Sequence, residues 1–508
     1  MGRARRAFFV LTILFLAAPL LGQSPLTPQQ KTSRYLETVR HQPGLLLAFL
    51  SQLPKGGDLH NHLGGSNYAE NLIDFAAQEG LCLDRATWAL HPAPCNPSCT
   101  SDDPAVQCTY RDQALYNSVI DAWSMRNWQP GRESAHDHFF ATFDKFALAL
   151  EHHVGDALAE TMRRAAADHV EYLELMHIPD GLQSARLGEK LAWTPDFAAM
   201  RSHLLAAGLI DIVAAARAQL DRDEAQMRSA LHCDTVSPDP ACGITVRYLY
   251  PALRGRPPAQ VFAQMVAGFE MASADPRYVG VNLVMPEDWY VPRLDFHLHM
   301  QMLDYLHSVY PRVHISLHAG ELAMGLVPPE DLSFHIRESV ELGHAERIGH
   351  GVDVMNERQP LALLREMARR NILVEICLTS NAQILGVEGD THPFPIYRRY
   401  HVPVALATDD EGVARSEMTH EYLRAVENYD LSYADLKELA RQSLEHSFLP
   451  GASFWSDTRP FRAVAACASN RAGSSGSSPT CQSFLEASPK ARMQWKLEQQ
   501  FADFENGF

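Results

Sequence analysis

After its first 22 residues the chain has no apolar run of the ~20 residues that a membrane-spanning helix needs, which predicts a soluble mature protein. It is also short of positive charge. Against 61 Asp and Glu it sets 44 Lys and Arg, for a formal net charge of −17. Such a surface repels phosphate backbones and argues against nucleic acid as a partner. No Gly-x-Gly-x-x-Gly opens a helix after the first predicted strand, so the usual dinucleotide cradle is missing. There is no Cys-x-x-Cys and no internal repeat. What remains is ordinary: 46% apolar and 21% charged residues exclude a collagen-like or mostly disordered chain. The 508 residues suffice for one large domain or two to three smaller ones.

The N-terminus reads as a signal peptide over residues 1–22. Arg3, Arg5 and Arg6 precede the short apolar run Ala7–Leu21, with a small residue at Gly22. A membrane anchor is the rival reading, but the run is short for one. Export permits disulfides, and the nine cysteines suit it. Cys95, Cys99 and Cys108 share a Pro- and Ser-rich insert, with Cys82 just before it. Cys233 and Cys242 flank one turn-rich stretch, and Cys467 and Cys481 bracket a Gly/Ser-rich loop. Loop proximity pairs Cys233 with Cys242 and Cys467 with Cys481, and leaves the pairing of the first four open. A zinc knuckle at Cys95, Cys99 and Cys108 is the competing reading. Cys377, inside an apolar run, reads as a buried free thiol.

Four regions follow: the leader, an N-terminal helical segment over 23–53, a main domain over 54–465 and a C-terminal stretch over 466–508. The main domain carries an insert at about 84–132, predicted to be a loop or lid. The C-terminal stretch comprises the Gly/Ser loop and one charged helix, Ser483–Phe504. Within the main domain, helical patterns alternate with short apolar runs. The first is the stretch around Leu59; the others are Val170–Met176, Ile244–Leu249, Val279–Val284, Val313–Leu317, Arg347–Gly349, Ile372–Cys377 and Val402–Ala407. Nearly continuous apolar runs suit parallel strands covered on both faces. Eight such βα units predict an α/β fold, a (β/α)8 barrel, with an open doubly wound sheet as the rival.

In such a barrel the chemistry gathers where strands end. His60 and His62 close the first strand, and residues two apart in an extended chain project to one side. His297 and His299 share that spacing but fall in a predicted helix, Leu294–His307, where they read as solvated surface. His318-Ala319-Gly320-Glu321 ends another strand, with Gly320 allowing the turn that aims Glu321 back at the pocket. Asp409-Asp410 ends the last. Two carboxylates at an apolar strand end need a cation or hydrogen bonds to compensate them. Three imidazoles and a carboxylate with one open position suit catalytic zinc better than calcium or magnesium. His350 stands between Gly349 and Gly351, which removes bulk beside a ring that must approach a ligand. Thr379-Ser380-Asn381 follows Cys377, and Ser380 and Asn381 read as helix-capping residues.

These stretches, joined in order by Arg347-Ile348-Gly349-His350-Gly351, Leu378-Thr379-Ser380-Asn381 and His392-Pro393-Phe394, resemble the motif set of the adenosine deaminase family over roughly residues 54–450. The leader, the cysteine-bearing insert and the N-terminal helices resemble its secreted, growth-factor-related branch. The resemblance implies one zinc per chain on His60, His62, His318 and Asp409. It implies that His350 orients and deprotonates a water and that Glu321 gives a proton to purine N1. Asp410 would accept a hydrogen bond on the N7 side, and the Met285 N–H would meet N3. The substrate would be a small purine nucleoside, adenosine or 2′-deoxyadenosine. The location would be periplasmic or extracellular, with a homodimer possible and no membrane contact once the leader is cut.

Three departures bear on substrate. Gly64 stands where many family members carry an acid for the ribose 5′-hydroxyl, Met285 where glycine is usual, and Glu411 where proline is common. The insert's Asp102, Asp103 or Arg111 could replace the missing acid. No lysine stands at the strand ends near Met176, Leu249 or Met285, which favours one metal over two. The His-x-Glu and Pro-Cys-x-x-Cys signature of the cytidine-deaminase class is absent. A related barrel enzyme acting on another purine remains the alternative, and behind it an extracellular binding protein with a dead site.

Overall fold

The computed structural model describes residues 25–131, 133–470, 472 and 476–508; the signal-peptide reading lies outside them. Eight parallel strands follow one another in sequence order. They are β1 (Gly56–His62), β2 (Val170–Met176), β3 (Thr245–Leu253), β4 (Tyr278–Val284), β5 (His314–Ala319), β6 (Arg347–His350), β7 (Leu373–Ile376) and β8 (Val404–Leu406). The sheet closes where β8 runs on beside β1. Asn61 bridges Asp409, the Asp409 N–H donates to the His60 carbonyl at 2.9 Å, and the His62 N–H donates to the Asp409 carbonyl at 3.2 Å. The barrel predicted from the alternating pattern is the barrel observed, and its seam runs through the residues expected to hold metal.

Several local expectations change. The N-terminal segment is two helices, Pro28–Val39 and Pro43–Gln52, because Pro43 cannot continue the first but suits the first turn of the second. The tail is likewise split, into Pro479–Ala487 and Pro489–Glu505, with the Ser488 side chain capping the second. The insert is more ordered than a loop: Cys82–Leu83 pairs with Leu90–His91, a 3-10 turn spans Val106–Arg111, and Gln113–Ala122 is a helix capped by Asp112. Its disulfides are Cys82–Cys95 and Cys99–Cys108, which ends the zinc-knuckle reading. Cys233 pairs with Cys242 and Cys467 with Cys481, as loop proximity suggested, and Cys377 is free and buried. Among the described residues no single helix is long and apolar enough to cross a membrane.

The barrel interior is not purely apolar. Arg347, fully buried on β6, pairs with Glu174 of β2 and Glu375 of β7, each at 2.6 Å, and donates to the His446 carbonyl at 3.0 Å. Two carboxylates therefore share one guanidinium out of water. Arg347→Met keeps the bulk but strands both charges, so urea unfolding should report a loss of about 3–5 kcal/mol. A loss below about 1 kcal/mol would mean that the pair is neutralised some other way.

Candidate active site

His60 and His62 leave β1 on one side of the chain, and β5 and the seam bring His318 and Asp409 to meet them. One ligand atom from each of the four lies within 4.8 Å of all the others. His62 Nε2 stands 3.1 Å from His318 Nε2 and 3.2 Å from Asp409 Oδ1, and His60 Nε2 stands 3.6 Å from that same oxygen. Neighbours fix which nitrogens face inward. His60 Nδ1 donates to Glu375 Oε2 at 2.7 Å, and His318 Nδ1 donates to Asn282 Oδ1 at 2.9 Å. When neutral, both rings turn a lone pair on Nε2 toward the centre, and His60 Nε2 is buried with no hydrogen-bond partner among the described residues. Converging lone pairs repel unless a cation lies between them. Tetrahedral zinc with ~2.0–2.1 Å bonds sets its nitrogens about 3.3 Å apart, so the donor set fits that ion. Outer acceptors that lock the ring tautomer are the usual support of such ligands.

The sequence reading missed Glu375 and Asn282. The one available signal was a charge inside the apolar run Ile372–Cys377. The reading of Gly349 also changes. A side chain there would come within 2.5 Å of the His60 ring, so the glycine makes room for His60 and not for His350. Three non-glycine residues with positive φ, Met285 (87°), His350 (68°) and Asp409 (59°), all belong to this site. Such strain persists only where the surroundings overdetermine it, and it gathers at functional centres. Met285 is accommodated because its thioether fills the space that a side chain at position 255 would take.

Glu321 is held by a buried clamp. Glu287 accepts the Gly320 N–H at 3.1 Å, the Glu321 N–H at 2.9 Å and His335 Nδ1–H at 2.6 Å. The turn after β5 is thereby fixed with the Glu321 carboxyl facing His350 Nε2 at 3.7 Å. Burial, with the charges of Asp409 and Glu287, holds that carboxyl well above the usual range, so it keeps a proton. Burial likewise pushes Asp410 up to about 8. Asn381 is no cap. It lies inside the helix Leu378–Leu385, and its amide joins His350 Nδ1 at 3.0 Å to His392 Nε2 at 3.1 Å. Ser380 is buried beside it, without a hydrogen bond from its hydroxyl among the described residues.

The expected surface pair is divided. His297 is exposed and faces Glu338 at 3.0 Å, whereas His299 is fully buried with neither ring nitrogen hydrogen-bonded among the described residues. Neither joins the site.

His62, His318 and Asp409, with Glu321, His350 and Asp410, line a cavity of about 380 Å³, and His60 lies buried behind them. Phe139, Phe140 and Phe143, from the helix Ala135–Phe146, and Trp289 supply apolar wall; Asp144 and Arg256 also line it. Asp102, Asp103 and Arg111 of the insert do not. Larger hollows of about 540 and 450 Å³ lie elsewhere, but among the described residues no comparable set of metal-ligating groups converges on them.

The family model described as adenosine deaminase matches residues 129–453. Among curated proteins, adenosine deaminase of Escherichia coli (strain SMS-3-5 / SECEC) is 39% identical over 137 residues, 27% of this chain and 38% of that protein. Adenosine deaminase of Clostridium perfringens is 30% identical over 135 residues, 26% of this chain and 37% of that protein. The chain thus spans under two fifths of the length of these relatives. Among solved structures, the N6-methyl-AMP deaminase of Arabidopsis thaliana superposes with a TM-score of 0.51 at 21% identity, covering 80% of this chain and 94% of that one. An amidohydrolase from Burkhoderia ambifaria with bound Zn gives 0.51 at 18% identity, covering 80% and 88%. At those identities the two structures speak for the barrel alone. The family model, which spans well over half of the chain, carries the assignment: this chain belongs to the adenosine deaminase family.

Proposed function

We propose that the protein is a zinc-dependent hydrolase that replaces the 6-amino group of a purine nucleoside by oxygen and releases ammonia, with adenosine or 2′-deoxyadenosine as substrate. One observation carries the reading. Three histidines and an aspartate converge on one point beside a buried, proton-holding glutamate in a cavity of nucleoside scale. The curated relatives named adenosine deaminase support it.

His60, His62, His318 and Asp409 would hold the ion. When bound, zinc makes a water acidic enough to act as nucleophile near neutral pH, its pKa falling from 15.7 to about 7. Glu321 then gives its proton to N1 as oxygen adds at C6, and His350 orients the attacking water. The Met285 N–H meets N3. Asp410 reads N7. That nitrogen carries a lone pair and no proton in a nine-substituted purine, so the carboxyl meets it as a donor, reversing the acceptor role expected from sequence. The added hydroxyl gives up its proton to the 6-amino nitrogen, and ammonia leaves from C6 as the oxo group forms.

A panel of adenosine, 2′-deoxyadenosine, adenine and N6-substituted purines, scored for ammonia with the zinc-loaded protein, tests this. Adenosine or its 2′-deoxy form should lead, and preference for adenine would move the assignment to a nucleobase enzyme. Adding 5′-deoxyadenosine to the panel tests Gly64. A side chain there would meet nothing within 4 Å, so the position has room for an acid but supplies none. We expect 5′-deoxyadenosine to be used with a kcat/KM within about tenfold of adenosine's, a gap of ~1.4 kcal/mol. A thousandfold preference for adenosine would assign the 5′-hydroxyl to another reader, such as Asp144.

The reading includes export, supported by the leader and the four disulfides. It also includes a homodimer, for which exposed Tyr35, Leu45 and Leu47 on the N-terminal helices offer apolar surface.

A further inference from the structure

A single backbone N–H decides where one proton in the active site sits. The Phe394 N–H donates to His392 Nδ1 at 3.1 Å, so that nitrogen bears the lone pair of its ring. His392 is buried, and burial pulls its pKa down to about 4, so the neutral ring carries its proton on Nε2. That N–H meets Asn381 Oδ1 at 3.1 Å. Turning the amide over would set two N–H groups against each other, so Asn381 has one allowed orientation. It presents its NH2 to His350 Nδ1 at 3.0 Å. His350 Nδ1 therefore accepts and has no room for a proton, which places the proton of the neutral His350 ring on Nε2. His350 Nε2 is buried, lacks a hydrogen-bond partner among the described residues, and faces Glu321 Oε1 at 3.7 Å and Asp409 Oδ2 at 3.9 Å.

We propose that His392, acting through Asn381, locks His350 as a hydrogen-bond donor toward the attacking oxygen, so that His350 orients this oxygen but does not deprotonate it. A base needs a free lone pair at Nε2, and the relay from the Phe394 backbone fills that position with hydrogen. His392 and Asn381 are then positioning residues for His350. This rests on the reading above, in which His350 faces the attacking water, and it replaces only the deprotonating half of the role expected from sequence.

The test turns the relay round. Asn381→Asp offers His350 only acceptors and should move its proton to Nδ1. His392→Gln keeps an N–H in the place of Nε2 and should leave the relay intact. The zinc-loaded protein, with 15N-labelled histidine, reports the tautomer through its imidazole nitrogen shifts, the His350 signals being those lost in His350→Gln. We expect the Nε2–H form in the wild type and in His392→Gln, and the Nδ1–H form in Asn381→Asp. Ammonia release should fall by ~100-fold in kcat for Asn381→Asp, with zinc content unchanged and KM within about threefold, while His392→Gln stays within about threefold in both. An Nδ1–H wild type would overturn the proposal, as would an Asn381→Asp enzyme whose tautomer switches while kcat holds or rises. Should Asn381→Asp fail to fold, His392→Leu, which frees the amide to turn, is expected to populate both tautomers with reduced kcat; a pure Nε2–H form there would overturn the role of His392. A near-native rate for His350→Gln would instead sink the underlying reading of His350.

Discussion

Glu321→Gln is expected to keep its zinc and lose turnover by about 10²–10⁴-fold, the usual worth of a general acid or base. The substitution conserves size, and the turn that carries it is held by main-chain N–H groups of residues 320 and 321 on Glu287, which the change does not touch. Nothing in the ligand set involves the Glu321 carboxyl, so metal analysis should still find one ion per chain. What changes is chemical. A carboxylic acid can hand its proton to N1 as the ring nitrogen gains electrons, whereas an amide can only hydrogen-bond to it. The loss should therefore fall on kcat, with KM little altered. A near-native rate would reduce Glu321 to the end of a turn and leave the proton to some other donor.

Asp409→Ala should lose the metal itself. Asp409 closes the barrel with its backbone, through the His60 carbonyl and the His62 N–H, and only its carboxylate faces the ligand cluster. The seam should survive the substitution while the cluster becomes three imidazoles. Outer supports of a metal ligand typically cost roughly 10–100-fold in affinity or activity when removed, and a ligand costs more. Glu375→Gln, which weakens the bond to His60 Nδ1, is the graded comparison: zinc affinity should fall by about 10–100-fold, not vanish. Equilibrium dialysis against a zinc buffer separates the two. Equal affinities for wild type and Asp409→Ala would remove Asp409 from the ligand set.

The four converging side chains were legible because each stands at or beside the end of a predicted strand, where a barrel needs no polar residue for folding. Their supports were not. Glu375 is 315 residues from the His60 ring that it orients, and Asn282 is 36 from His318; no local pattern links either pair. Thr379-Ser380-Asn381 carries a strong local signal for a cap, and that signal misled. The Asn381 amide is claimed by His350 and His392, which reach it from two other segments. His299 failed for a similar reason: its spacing from His297 describes a helix face, but tertiary packing decides whether that face meets water. The disulfide insert was seen from its cysteines. Which of Cys82, Cys95, Cys99 and Cys108 pair could not be read, since more than one pairing closes short loops.

On the proposed function, one metal ion held by these four side chains makes the pocket a purine deaminase. The most direct test strips the purified protein with a chelator, removes the chelator, and follows ammonia release from adenosine as zinc is returned in fractions of an equivalent. Stripping should abolish release, and activity should return in proportion to zinc and level off at one equivalent per chain. Full activity in the stripped protein, or a plateau only after a second equivalent, would contradict it.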